Sequence, residues 1–230
     1  DGFIYMSEQV HEELKAYTSA PALFSPHPLF ENFGAAVARD EACRRLRLDP
    51  AQRYALFFGL IRDYKGLDIL LDAWARFRRP GHRLIVAGEF YTAREPYLNR
   101  IADNGLQDEV LLHDRFIPDD DVKYYFSAAD FVVQPYKTAT QSGVTQIAYQ
   151  FCVPMVVTKV GGLAEIVPDG RVGYVCEPTP EGVAGAIERM YEGDTLQRFR
   201  ENCVEERRRF SWEEMCSRIT ELYGLVASGK

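Results

Sequence analysis

The chain has 230 residues, 47% of them hydrophobic, with 27 Lys and Arg against 34 Asp and Glu for a formal net charge of −7. Such a length and composition fit one large α/β domain, or one domain with a piece of another, and exclude global disorder. The acidic balance argues against a nucleic-acid binder, whose affinity would come from phosphate neutralisation, although one or two local cations suffice for a nucleotide.

Five cysteines (Cys43, Cys152, Cys176, Cys203, Cys216) are scattered without a C-x-x-C pair. Neither a disulfide framework nor a zinc site is expected, and a reducing, cytoplasmic setting is. Cys152 and Cys176 lie in apolar surroundings and are expected to be buried. No apolar run approaches the ~20 residues of a membrane span. The opening DGFIYMS has neither an initiating Met nor a basic leader region and reads as the interior of a longer fold.

In chain order, Phe3 to Met6 reads as a strand, and Ser7 as the N-cap of a helix from Glu8 to Tyr17, without a full capping box. Ala20 to Phe30 holds Pro21, Pro26 and Pro28, so it reads as a strand followed by a linker and as a domain boundary. Ala35 to Leu48 follows a helical pattern. Strands are then expected at Tyr54 to Phe58, Arg83 to Ala87, Val110 to His113, Asp130 to Gln134, Pro154 to Thr158 and Val172 to Cys176. Helices are expected at Leu67 to Phe77, Pro96 to Ala102, Asp119 to Ala129 and Gly143 to Phe151. A tight turn falls at Gly161-Gly162, and helices Gly182 to Glu192, Thr195 to Arg208 and Trp212 to Ala227 end the chain. Short continuous apolar strands alternating with helices predict a doubly wound, Rossmann-like parallel sheet, with ligands at the carboxyl ends of its strands.

Several polar clusters follow those strands. Arg62 and Lys65 sit in the loop after Gly59, just before a helix N-terminus, where a cation opposes the helix dipole. Either an anion lies between the cations and the helix end, or Arg62 pairs with a surface carboxylate such as Asp63. The loop Thr140-Gln141-Ser142-Gly143 precedes another helix. It can offer N–H groups and hydroxyls to a phosphate or sugar oxygen, or serve only as a turn with Ser142 as cap. Gln146 and Gln150 lie one turn apart on that helix, toward a ligand or toward water. Glu165 can hold the Gly161-Gly162 turn or cap the segment after it. His113 ends a strand and is either packed or at the site. The loop after Gly59 is neither a P-loop nor a dinucleotide fingerprint. No histidine pair has metal-ligand spacing.

The strings FFGLIRDYKGLDILLDAW (57–74), LIVAGEF (84–90), FIPDDDVKYYFSAADFVVQPY (116–136) and CVPMVVTKVGGLAEIVPDGRVGYVCEP (152–178) together resemble the carboxyl-terminal, donor-binding domain of the GT-B glycosyltransferases of family 4, also called group 1. The resemblance implies one half of a GT-B fold with C-terminal helices. Residues 1–30 would be the tail of the acceptor-binding domain and the linker, 31–210 the donor-binding domain, and 211–230 a crossover helix. It implies retaining transfer of a sugar from a UDP- or GDP-sugar to a glycan or lipid-linked acceptor, with no obligatory metal or other cofactor. The setting implied is cell-surface polysaccharide or lipopolysaccharide assembly in the cytoplasm, with the full protein at the inner membrane face.

By the same resemblance Lys65 and Arg62 hold the diphosphate and stabilise the leaving charge. Lys65 matches the family lysine, whereas the family arginine directly follows the glycine, where this chain has Leu60. Phe116 and Ile117 correspond to the base-binding segment. Gly59, Thr140, Gln141, Ser142, Gly143, Val144 and Gln146 would complete the donor site. Most members carry two glutamates that contact donor sugar and ribose. Those positions fall here on Ala139 and Ile147, which leaves a non-catalytic nucleotide-sugar-binding or scaffold module as the alternative. A sugar-nucleotide epimerase would share the fold.

Overall fold

A computed structural model of the chain describes residues 1–228. Two sheets form. The larger has six parallel strands: β3 (Arg53–Phe58), β4 (His82–Ala87), β5 (Val110–His113), β6 (Phe131–Gln134), β7 (Met155–Thr158) and β8 (Gly173–Cys176). Their spatial order is β5-β4-β3-β6-β7-β8, so the chain winds outward from β3, reverses at β6, and leaves a switch point between β3 and β6 where ligands bind in such sheets. All ladders are parallel, with Leu56 opposite both Ile85 and Val132.

The strands are apolar throughout because both faces are covered. Tyr54, Leu56, Val132, Met155 and Val157 enter one core, together with α2 (Arg39–Leu46), α5 (Asp119–Ala128) and α6 (Gly143–Gln150). Ala55, Phe57, Phe131, Val133 and Val156 enter the other, with α3 (Leu67–Phe77), α4 (Glu95–Asp103) and α8 (Pro180–Met190). At the amino edge of the sheet Asp130 ties two strands. Its carboxylate accepts from the Tyr54 N–H at 2.8 Å and pairs with Arg53 at 3.1 Å.

The small sheet holds only β1 (Phe3–Tyr5) and β2 (Ala22–Phe24), paired in parallel, with α1 (Glu8–Lys15) as the crossover. The helix α10 (Trp212–Ser228) packs across both strands. It follows α9 (Thr195–Glu206) and a single 3-10 turn, Arg207–Phe210. The linker docks at this junction, where the Leu29 N–H donates to the Phe210 carbonyl at 2.9 Å.

Four expectations change. The helix expected over 35–48 is only α2, because Gly34 adopts φ 78, the Val37 N–H is taken by the Ser127 hydroxyl, and Arg47 ends it in the left-handed region. The Gly161-Gly162 turn leads into a one-turn helix, α7 (Leu163–Ile166). Cys152 and Cys176 are only half-buried; Cys43 and Cys203 are the cysteines that core packing covers, and all five are free. Glu165 caps neither its own turn nor the next segment: its carboxylate accepts from the Glu8 N–H at 3.2 Å, at the start of α1.

Candidate donor-binding site

The loop from β3 to α3 is shaped by three glycines that tolerate no side chain. Gly59 has φ 99, Gly66 is left-handed at φ 69, and a Cβ on Gly66 would overlap the Pro135 carbonyl. Across the sheet edge, a Cβ on Gly88 would overlap the carbonyl of Gly59. The β3, β4 and β6 exits are thus packed backbone to backbone, which needs glycine at the contact.

The packing buries Lys65. It is 9% exposed, lies on a 3-10 turn (Asp63–Lys65), and has its ammonium 5.8 Å from the centre of the Tyr136 ring. No carboxylate pairs with it among the described residues. Burial, and then the charge of Arg62, lower its pKa to about 8. A desolvated cation without a counter-ion is unfavourable unless a ligand supplies the charge.

Lys65 faces the start of α6. The lysine Nζ and the Val144 Cγ2 lie 3.1 and 3.6 Å from the point where a Cβ on Gly59 would sit. Ser142 caps α6, its hydroxyl accepting from the Val144 N–H at 3.2 Å and meeting the Tyr136 hydroxyl at 3.2 Å. The Gly143 N–H has no acceptor among the described residues, and Phe30 lies 3.3 Å from a Cβ built on Gly143. Lys65 and the first turn of α6 thus flank Gly59 at the switch point, and a cation beside a helix N-terminus is suited to hold an anion.

The other expected residues divide. Arg62 is exposed and lies over the Tyr91 ring at 5.4 Å. It does not pair with Asp63, which accepts from the Thr92 and Tyr97 hydroxyls at 2.9 and 3.0 Å. Phe116 is 64% exposed while Ile117 is buried, so the ring is free to stack and the isoleucine anchors its backbone. Thr140 and Gln141 are exposed on the loop. Gln146 faces neither open solvent nor a surface partner; it is buried, and its Oε1 has no partner among the described residues. His113 is packed, its Nδ1 2.8 Å from the Tyr125 hydroxyl, with its pKa lowered by burial and by Arg115.

Two features escape sequence reading. Below α6, the Thr145 hydroxyl donates to the buried Gln134 Oε1 at 3.2 Å, leaving the Gln134 amide nitrogen unpartnered. The second is α1, whose first turn abuts Gly161-Gly162. The Gln134 pairing had a faint signal, a polar residue at the end of a buried strand. The α1 contact had none, since it joins segments more than 150 residues apart.

Among the described residues no cluster of His, Cys, Asp or Glu is placed to hold a metal, and no helix is long and apolar enough to cross a membrane.

The doubly wound parallel sheet with its flanking helices is the fold of one half of a GT-B architecture. Residues 52–193 match the model of the glycosyl transferases group 1 family, and the chain belongs to that family. A D-inositol 3-phosphate glycosyltransferase of Acidothermus cellulolyticus is 30% identical over 194 residues, covering 79% of this chain and 43% of that protein. A glycogen synthase of Thermus thermophilus is 29% identical, over 74% of this chain and 38% of its own length. The chain thus spans less than half the length of these curated relatives. Among solved structures, a sucrose-phosphate synthase of Thermosynechococcus elongatus superposes with TM-score 0.82 at 21% identity, covering all of this chain and 59% of that one. HepE of Anabaena, in complex with UDP and glucose, superposes at 0.77 and 20% identity, over 96% and 62%.

Proposed function

We propose that this chain is the donor-binding half of a retaining glycosyltransferase, which moves a sugar from a nucleotide diphosphate to a glycan or lipid-linked acceptor in cell-surface polysaccharide synthesis. One observation carries the reading: the buried, acid-free ammonium of Lys65 beside Gly59 and the α6 N-terminus. A diphosphate placed there neutralises the lysine, accepts the Gly143 N–H and meets the helix dipole. As the glycosyl bond breaks, negative charge grows on that diphosphate, and a preorganised cation stabilises it. Arg62 reaches the same group from the exposed side. Phe116 stacks on the base while the backbone at Ile117 fixes its edge. UDP is the first candidate because HepE holds it in a similar fold, with GDP as the competitor to exclude.

Residues 1–30 would be the tail and linker of an acceptor-binding domain, 31–210 the donor domain, and 211–230 the helix that crosses back. Two features support that division. A parallel pair of strands is a poor stand-alone sheet. The helix α10 also carries Trp212, Ile219 and Tyr223 exposed at helical spacing. The isolated chain is then expected to bind nucleotide without turning over.

The test is calorimetric titration with UDP and GDP, comparing the native chain with Lys65→Ala. Binding that weakens by about 2–4 kcal/mol, roughly 30- to 1000-fold, supports the reading; indifference to the substitution removes it. A scaffold role is the second reading. It is favoured by Ala139 and Ile147 at the positions where the resemblance puts glutamates, Ile147 being packed in the core. Absence of nucleotide binding would select it.

A further inference from the structure

The segment ahead of the parallel-sheet domain reaches the site through the first turn of α1. Ser7, its N-cap, is buried, and its Cβ lies 3.0 Å from a Cβ built on Gly162. Gly162 in turn donates its N–H to the Thr140 carbonyl at 3.2 Å, and a Cβ on Gly161 would overlap the Ala139 carbonyl. The Glu165 carboxylate closes the stack from behind by accepting the Glu8 N–H. Helix, glycine turn and donor loop therefore form three layers in contact, the turn meeting the loop backbone to backbone and meeting α1 through the Ser7 and Gln9 side chains.

This stacking leaves a cavity of about 420 Å³ between Gln9 and the 138–140 loop, floored by Gly161, within the size range of small-ligand sites. Its chemistry is specific. Lys137, its one cation, is already paired with Asp68 at 2.7 Å. The remaining polar side chains are neutral: the Gln9 amide and the hydroxyls of Thr138 and Thr140. The Gln9 Nε2 donates to Glu13 at 3.2 Å. A carboxylate accepts only, so Glu13 fixes which end of the amide points where. The Gln9 Oε1 is thereby turned toward the cavity, 3.4 Å from a Cβ built on Gly161, and no described residue donates to it.

We propose that Gln9 is a specificity-determining residue for the glycosyl group of the donor, its Oε1 accepting a hydrogen bond from a sugar hydroxyl seated over Gly161. This rests on the nucleotide-sugar reading above. The wall opposite Gln9 is the loop that continues through Ser142 into the diphosphate site, so a sugar attached to that diphosphate lies within reach. The neutral lining selects an uncharged hexose or N-acetylhexosamine. A sugar acid finds no free cation there, and an amino sugar finds no free carboxylate.

The experiment is calorimetric titration of the chain with UDP and GDP, and then with UDP-glucose, UDP-galactose, UDP-N-acetylglucosamine and GDP-mannose. The native chain is expected to bind at least one nucleotide sugar more tightly than its parent diphosphate. Gln9→Ala is expected to lose roughly three- to tenfold of that sugar increment, the size of one neutral hydrogen bond, with the affinity for the free diphosphate unchanged. Lys65→Ala is expected to weaken diphosphate and nucleotide sugar alike. An increment that survives Gln9→Ala overturns the inference, as does an equal loss for diphosphate and nucleotide sugar, which marks a merely structural role. A native chain that binds the diphosphates but gains nothing from any of these sugars overturns it too and leaves the diphosphate site standing. A native chain that binds neither UDP nor GDP fails at the earlier step and removes both.

Discussion

The carbonyl oxygen of Ala139 occupies the space that a side chain on Gly161 would need. Gly161 also sits at φ 46, so two independent constraints exclude any other residue. The contact fixes the loop at Ala139 and Thr140 against the turn after β7 and, through Gly162 and Ser7, against α1. Gly161→Ala is therefore expected to destabilise the fold by roughly 2–4 kcal/mol and to displace the loop. Denaturant unfolding measures the first effect and nucleotide titration the second. An alanine variant with unchanged midpoint and affinity would show that the loop is not held here.

The proposed diphosphate site is expected to be pH-dependent through Lys65. Its ammonium is disfavoured by burial, so its proton leaves near pH 8 and not near its ordinary 10.5. Between those values the unfolded chain binds more protons than the folded one, and stability rises with pH across that window. The penalty is fully present below about pH 8. Diphosphate binding at the proposed site is expected to have the opposite dependence, because it needs the charged form. The association constant is expected to be level below pH 8 and then to fall, by up to about tenfold per pH unit, as Lys65 deprotonates. Lys65→Arg is expected to flatten that fall, since guanidinium does not titrate in this range. A native profile that is flat from pH 7 to 10 would mean that Lys65 does not touch the ligand.

Asp130 offers a test of the sheet without touching the site. Its carboxylate satisfies the buried Tyr54 N–H. Asp130→Ala leaves that donor unpaired at the start of β3 and is expected to lower stability by about 1–3 kcal/mol. Because Tyr54 is at the far end of the strand from Gly59, nucleotide affinity measured well below the unfolding midpoint should not change.

Cys152 is one of two non-glycine residues with positive φ, at 51°, among the described residues. Glycine relieves that conformation, while a β-branched residue worsens it. Cys152→Gly is expected to change stability by less than about 1 kcal/mol, backbone relief offsetting lost packing. Cys152→Val is expected to lower it by about 1–2 kcal/mol. Thermal unfolding of the pair reads the difference directly, and equal midpoints would argue against a strained backbone.

The parallel sheet was legible because its signal is local. Each strand is a short apolar run closed by glycine or a polar residue, and each helix repeats its apolar positions within one segment. The two cations after β3 were legible for the same reason, as charges in a place the helix dipole disfavours. The helix expected over 35–48 shortened to α2 because Val37 bonds to Ser127, a partner 90 residues away. The half-buried state of Cys152 and Cys176 likewise depended on which neighbours the fold brings over them, which flanking hydrophobicity does not report.

Local sequence was enough for the alternation of strands and helices, the doubly wound sheet that follows from it, and the positions of Gly59, Lys65 and Ser142. Those are properties of short windows, where side-chain periodicity and backbone preference act on neighbours in the chain. It took the closed fold to show that Lys65 is buried with no carboxylate paired to it among the described residues, that Glu165 reaches back to Glu8, and that Gln9 faces the 138–140 loop across a cavity. Charge pairing and cavity walls are made between distant segments, and their energies depend on distance and solvent exclusion, which exist only once the sheet has closed.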